Sequence, residues 1–456
     1  MIRALTLRRV AFSPASLGSP SIRRRPRSAR ALVLAAAWWA GWWMTLPAAA
    51  QSGVVKGPEL LEHDGRRRAA AAVRWSDAND WEFDLDGAWT PRGAETFLSW
   101  GRLVEPERSV GVLFRSGSLL MIDRWRIFGD QLEGTTAAGW KVAAPRGRVA
   151  ALEFHWPPSA AERDRRLRRW LEPRPARDLV DLDSGDQVSG RVLGGASVDE
   201  TYDDEQAKPG QLRLELQRGS TLVDAANMRS LRFRNEDVRG ENVPRSPVLA
   251  VVGLADGSVL RVAKLEKRGA QLAIELVDGV AWECDGNLFC ESIAFVQPLE
   301  TDVNEKTRPV FLSDLESAGY RHVPWLSREW SYQRDANALQ GRLRAGGQVF
   351  VKGLGMHSTS RLAFDLEGRF ARLRGAIALD DAAEQEGSVV FRVYVDRGDG
   401  QWAAVLESPV VRGGDAPAPI DLDMRGVQRL ALIVDAADRG DIRDYADWLN
   451  LRLYRP

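Results

Sequence analysis

At 456 residues the chain is too long for one ordinary domain and suggests about three. Its 44% hydrophobic and 28% charged residues describe a protein able to bury cores, which excludes a disordered chain. Basic and acidic side chains balance at 63 each, but eight arginines and no acid fall in residues 1–50. That leaves 55 basic against 63 acidic, or −8, in residues 51–456, a balance that argues against a polyanion-binding protein.

The basic start ends at Arg30, and "ALVLAAAWWAGWWMTLP" (31–47) then runs without a charge. Small residues at Ala48 and Ala50 precede a cut before Gln51. Basic, apolar and small-residue parts in that order predict a secretory signal over residues 1–50. The alternative is an uncleaved anchor, since this apolar run sits at the lower limit for a membrane span. On either reading the bulk of the chain is exported to the periplasm, cell envelope or exterior, and it meets a membrane only if the segment stays uncleaved.

Residues 51–80 are a polar, alanine-rich approach. The sequence then rhymes with itself three times. Each copy opens on a glycine turn, at "FRSG" (Phe114–Gly117), "DLDSG" (Asp181–Gly185) and "GLADG" (Gly253–Gly257). Each closes on a short strand, at "VAALEFHW" (Val149–Trp156), "MRSLRFRN" (Met228–Asn235) and "CESIAFVQ" (Cys290–Gln297). Alternation such as "QLRLELQ" (Gln211–Gln217) marks half-buried antiparallel strands. Three small β-rich modules are expected at 81–156, 179–240 and 246–298, as SH3-like barrels or open sandwiches.

Between the first two modules, prolines bracket a helical linker at 157–178, with Ser159 as N-cap and Leu167, Trp170 and Leu171 at helical spacing. Its "ERDRR" mixes signs and reads as a solvated face in preference to a nucleic-acid patch. The two cysteines, Cys284 and Cys290, flank a turn-like "DGN" and predict a hairpin disulfide in an oxidising compartment.

After a polar linker at 299–310 the character changes. Residues 308–456 hold at least eight strand-like runs and no long helix, which predicts a β-sandwich. In "SVVFRVYVD" one face carries Val389, Phe391, Val393 and Val395, and in "LNLRLY" one face carries Leu449, Leu451 and Leu453. Within "VKGLGMHSTSRLAFDL" (Val351–Leu366) the lysine precedes the glycines and a strand follows, so a phosphate-binding loop is excluded. No nucleophile elbow and no H-x-x-x-H pair accompanies His357, which excludes the usual hydrolytic and zinc sites. Gly353 and Gly355 are expected to shape a sharp bend beside it.

Several ordered blocks resemble the NPCBM family of carbohydrate-binding modules, found attached to certain glycoside hydrolases and to many exported bacterial proteins. They are "FLSDLES" (Phe311–Ser317), the K-G-L-G-x-H stretch within Leu339–Asp381 with its Asp380–Asp381 pair, "GSVVFRVYVDRG" (Gly387–Gly398), and "DYADW" within Gly426–Leu453. The family's usual histidine after the aspartate in the last motif is Tyr445 here, a departure that weighs against a polar role at that position. The resemblance covers a third of the chain and implies an all-β protein ending in a galactose-binding-like, jelly-roll type β-sandwich with a carbohydrate-binding role.

Sugar recognition needs aromatic platforms for C–H faces and a few polar groups for hydroxyls. The block supplies Trp325, Trp330, His357, Asp380, Asp381 and Asp447 as candidate glycan contacts. Asp444 and Trp448 stand nearby, the tryptophan reading as core. Asp380 and Asp381 alternatively cap a turn or hold a structural calcium ion; no other cofactor is expected. The leading reading is an exported, non-catalytic protein binding a galactose-type glycan. A structural cell-envelope protein using the sandwich for protein contacts is second, with cell-envelope proteins as partners. An unrecognised glycoside hydrolase is third, because no sequence context singles out a facing carboxylate pair and no strand–helix alternation marks a (β/α)8 barrel.

Overall fold

Alternating apolar side chains become strands along almost the whole chain. The computed structural model describes residues 57–106, 109–171, 175–198, 208–234, 247–299, 309–325, 328–438 and 440–456. The expected secretory segment at 1–50 lies outside them. No helix among the described residues is long and apolar enough to cross a membrane.

At the start, β1 (Glu59–Glu62) and β2 (Arg67–Ala69) form a hairpin. A separate small sheet follows, made of β3 (Val73–Trp75), β4 (Trp81–Leu85) and β5 (Ala88–Arg92). The next strand, β6 (Phe97–Gly101), returns to pair with β1.

Three stretches then follow a similar order, the first with two short strands where the others have one long strand, and each with a helical turn before its last strand. The first runs β7 (Val110–Phe114), β8 (Leu119–Ile122), β9 (Arg124–Phe128), β10 (Gln131–Thr135), β11 (Lys141–Pro145), one 3-10 turn and β12 (Val149–Glu153). Helix α1 (Ala160–Leu171) follows between its prolines. The second stretch runs β13 (Asp178–Leu182), β14 (Gln187–Ala196), β15 (Gln211–Glu215), β16 (Ser220–Asp224), a 3-10 turn and β17 (Met228–Arg232). The third runs β18 (Ala250–Leu254), β19 (Val259–Arg268), β20 (Gln271–Leu276), β21 (Ala281–Asp285), α2 (Gly286–Ser292) and β22 (Ile293–Pro298).

Each stretch opens on the same tight turn. Gly117, Gly185 and Gly257 take φ of +88°, +92° and +92°, a conformation that glycine reaches without steric cost. In each, the glycine N–H donates three residues back, to Phe114, Leu182 and Leu254 respectively. Pairing across the stretches joins β12 to β17, β9 to β14 and β8 to β19, and β22 also takes the preceding β6, over one shared apolar core.

The bridge expected between Cys284 and Cys290 is not formed. Cys284 points into the core and its thiol donates to the Leu272 carbonyl at 3.8 Å, whereas Cys290 sits on α2 and accepts from the Trp75 N–H at 3.4 Å. The residues between them start a helix capped by Asp285 and do not make a hairpin turn, so the two thiols diverge. Burial pushes the Cys284 thiol up to about 12.

The carboxy-terminal strands are β23 (Val310–Phe311), β24 (Gly319–His322), β25 (Gln333–Arg334), β26 (Leu343–Ala345), β27 (Gln348–Phe350), β28 (Gly353–His357) and β29 (Ser360–Asp365). They continue as β30 (Arg372–Leu379), β31 (Ser388–Asp396), β32 (Ala403–Glu407), β33 (Val411–Arg412), β34 (Ala418–Asp423), β35 (Arg429–Ala436) and β36 (Tyr445–Tyr454). One sheet has the order β25-β28-β36-β30-β34 with β23 on β36; the other runs β24-β29-β35-β31-β32 with β33 on β31. Their inner faces enclose Val389, Phe391, Val393 and Val395 as expected, with Trp448 edge-on to Phe391 at 5.0 Å. The chain is thus all-β with a terminal sandwich.

Two local expectations need correction. Gly353 and Gly355 do not form a bend. They lie inside β28, opposite Leu449 and Asp447 of β36. The chain bends just before them, separating β28 from the β26–β27 hairpin. Leu449, Leu451 and Leu453 do not share one face either. A bulge at Asn450, with φ +47°, resets the alternation. Trp448, Leu451 and Leu453 therefore enter the main core, while Leu449 packs with Leu343 and Ala345 on the opposite side.

Residues 54–456 are one compact unit, and charges stitch its two parts together. Asp164 of α1 binds Arg342 Nε at 2.7 Å and Arg344 Nε at 3.0 Å; Glu105 takes Arg342 Nη2 at 2.8 Å and Arg344 Nη1 at 2.6 Å. Burial works against the Glu105 charge, yet Arg342 and Arg344 outweigh it and hold the carboxyl down at about 2. Elsewhere on this seam the His63 carbonyl accepts from Tyr454 Oη at 2.7 Å and Arg452 Nη2 at 3.1 Å. Removing Asp164 leaves two guanidiniums half-buried with one partner fewer. Asp164→Ala is expected to cost about 3 kcal/mol in urea denaturation, because breaking a buried pair strands a charge.

Candidate functional site

The rim of the sandwich gathers three loops: the segment from β24 to β25, the turn from β28 to β29, and the loop from β35 to β36. Met356 points into the core, so the next residue of β28, His357, turns the other way to the rim, where it is 3% exposed. Its ring stacks on Trp330 at 4.4 Å and 6°. The Arg328 guanidinium lies 4.0 Å from the Trp330 centroid, and with one face taken by the imidazole it covers the other. His322 and Tyr445 complete the cluster at 5.9 and 5.8 Å from His357.

Hydrogen bonds fix both imidazoles. The Ser358 carbonyl accepts from His357 Nδ1 at 2.7 Å and from His322 Nε2 at 3.0 Å, while His322 Nδ1 accepts the Trp330 N–H at 3.3 Å. That arrangement leaves His357 Nε2 as a lone-pair acceptor. Burial lowers the His357 pKa and outweighs the hydrogen bond to the Ser358 carbonyl, which raises it, and this favours the neutral ring.

Trp325 stands at the outside of this cluster and is 64% exposed. Its indole rests on Gly440, where a Cβ would come within 3.2 Å of Cζ3. A glycine there, at φ +72°, gives the ring its seat. Arg328 and Glu329, further along the same segment, are exposed.

The three aspartates expected to grip hydroxyls are placed differently. Asp447 is 0% exposed on β36, beneath the β26–β27 hairpin. Asp380, also 0% exposed, accepts from Arg344 N at 2.9 Å and Ala382 N at 2.9 Å. Asp381 accepts from Gly346 N and Gly347 N at 2.9 and 3.0 Å. Asp380 and Asp381 thus cap turns, each carboxylate oxygen accepting one backbone amide. No group of three or more His, Cys, Asp or Glu able to hold a metal occurs among the described residues. Burial, then the neighbouring Asp380 charge, push Asp447 well above the carboxylate range, so it is neutral and able to donate to Asp380. Trp448 is core, as expected.

The structure therefore stacks Trp330 on His357 and seats Trp325 on Gly440 of the loop that leads to Tyr445, while Asp380 and Asp381 hold backbone amides away from these rings. Sequence reasoning missed Arg328, His322 and Tyr445. The dense "HVPWLSREW" run held the signal for the first two. Tyr445 occupies the position where the resemblance leads one to expect histidine, and it packs against His357.

Residues 308–454 match the NPCBM/NEW2 domain family. This part of the chain is an NPCBM/NEW2 domain. The chain is 33% identical over 121 residues to alpha-1,3-galactosidase B of Akkermansia muciniphila, covering 26% of this chain and 14% of that one. It spans 10% to 14% of the length of the curated relatives it matches. Among solved structures it is similar to a CBM51 module from Clostridium perfringens GH95 in complex with methyl-galactose. That match has 20% identity and covers 32% of this chain and 99% of that one, with a TM-score of 0.28. A second match is the CBM51-2 and INT pair of Clostridium perfringens ZmpB in complex with GlcNAc, at 19% identity, 57% and 46% coverage and a TM-score of 0.29.

Behind the rim, Asp444 accepts from Ser358 Oγ at 2.5 Å and Ser388 N at 2.8 Å, yet burial pushes its carboxyl up to about 6. A raised acid makes the fold most stable below the ordinary value near 4 and less so as pH climbs through 6. Melting temperatures from pH 4 to 7 are expected to show Asp444→Asn gaining on the wild type across that window and running level with it at the acid end.

Proposed function

We propose that this is an exported, non-catalytic protein that binds a galactose-type glycan through the rim formed by Trp325, Trp330 and His357. The observation that carries the reading is the exposed Trp325 indole beside the locked Trp330–His357 stack, at the edge of an NPCBM/NEW2 sandwich. An exposed indole receives the apolar face of a pyranose, and a neutral imidazole acceptor with Arg328 and Glu329 nearby addresses hydroxyls.

Galactose is favoured because the curated relatives are named as an alpha-1,3-galactosidase and a putative endo-alpha-N-acetylgalactosaminidase. Export is supported by the basic, apolar and small-residue order of residues 1–50. A non-catalytic role is supported by the matched segment's being the binding module alone, a small part of each named glycosidase. The β-rich stretches before it are proposed as three copies of one module, on the strength of their common turn and similar element order. Their role is to hold the sandwich, through the Asp164–Glu105 seam, in a set orientation.

Calorimetry of the full chain with methyl-galactoside tests the reading. Trp325→Ala is expected to weaken binding about tenfold or more, about 1.4 kcal/mol, with an unchanged melting temperature because the side chain is mostly exposed. Asp381→Ala is expected to leave affinity as it is. A chain that binds no neutral sugar, or binds equally without Trp325, sinks the assignment and favours the structural role in the envelope.

A further inference from the structure

Helix α1 lays three arginines along one wall of a cleft. Arg165, Arg166 and Arg169 face Arg229 and Asp181 across a cavity of about 500 Å³. Arg232 stands beside it, where burial and then the repulsion of Arg169 lower its hold on a proton, against the pull of Asp181.

The local acids do not balance this cluster. Arg166 reaches Glu153 at 2.8 Å and Glu162 at 3.1 Å, and Arg229 lies 3.7 Å from Asp183. Arg232 is 3.6 Å from Asp181, whose carboxylate already accepts from Ser230 Oγ at 2.7 Å and Gln187 Nε2 at 2.6 Å. The Arg232 Nε is buried and has no hydrogen bond among the described residues. Arg165 donates only to the Ala161 carbonyl, and no acid pairs with Arg169 among the described residues. Five guanidiniums thus meet Glu162, Asp181 and Asp183. Glu153 adds little, because burial pushes it up to about 8 against the pull of Arg166. Arg165 and Arg169 are also like charges one helical turn apart, a spacing that costs stability unless an anion sits between them.

We propose that this cleft is an oxyanion-binding site, separate from the rim, for the sulfate or carboxylate groups of an acidic glycan. Guanidinium forks match such groups with two parallel hydrogen bonds. The cavity is far larger than a lone ion fills, which points to an oxyanion carried on a scaffold. The feature is local: the net charge of residues 51–456 is negative, and Trp170 of the cleft is 7% exposed, which leaves no aromatic ladder for nucleic-acid bases.

The test titrates the full chain with sulfated dextran, carboxymethyl dextran, unmodified dextran, inorganic sulfate and a single-stranded oligonucleotide of matched charge. At least one charged dextran is expected to bind and unmodified dextran not. Arg165→Ala/Arg169→Ala is expected to weaken that binding at least tenfold while leaving the melting temperature and methyl-galactoside binding alone. Failure of both charged dextrans, equal binding by the double variant, or equal affinity for the oligonucleotide overturns the proposal. Binding of inorganic sulfate alone overturns the glycan as its source. Because the rim is read out separately with methyl-galactoside, a failure there is distinguishable from a failure here.

Discussion

The sandwich depends on backbone packed directly against backbone at the centre of one sheet. A Cβ on Gly353 would lie 2.5 Å from the Trp448 carbonyl oxygen, and one on Gly355 2.4 Å from that of Ala336. Real side chains do not approach so closely, so only glycine lets β28 lie where it does. From that placement the rest follows. Leu354 and Met356 enter the core, His357 reaches the rim, and the bend ahead of β28 sends the β26–β27 hairpin over Asp380 and Asp447. The K-G-L-G-x-H motif is thus a packing requirement with a binding consequence.

The seam between the sandwich and the preceding β body is of a different kind. It is charged, and two acids are shared by two arginines that adjoin each other on one hairpin edge. Such an arrangement fixes orientation more than it adds stability, since desolvation offsets much of the attraction. Its consequence is geometric. Helix α1 is pinned through Asp164 on one face, and the opposite face is thereby presented, arginines outward, to the cleft against β17. One helix serves as a joint and as the wall of a cavity.

Much of the fold was legible in the sequence. The alternation of Val389, Phe391, Val393 and Val395 named a core face correctly, the prolines bracketed α1, and the ordered motifs identified the module. Where reading failed, it failed at points that local pattern does not encode. The bulge at Asn450 broke an alternation that looked continuous from Leu449 to Leu453. The cysteine pair looked like hairpin partners because the one-turn helix between them resembles a turn in sequence.

By itself the sequence determined that the protein is a β protein, where many of its later strands run and which family its last third matches, but it missed β1 to β3 within residues 51–80. Those properties rest on periodicity and motif order, which are local. Only the tertiary structure decided which polar groups can meet a ligand. Asp380 and Asp447 sit next to the rim in sequence but are buried under a hairpin, and Asp381 holds the amides of that hairpin's turn. Trp325 and Arg328 come from the segment between β24 and β25, whereas His357 and Tyr445 are paired strand ends of β28 and β36. Solvent access is a property of what packs over a residue, and strand pairing between distant segments sets that, not the residue's own neighbours in the chain.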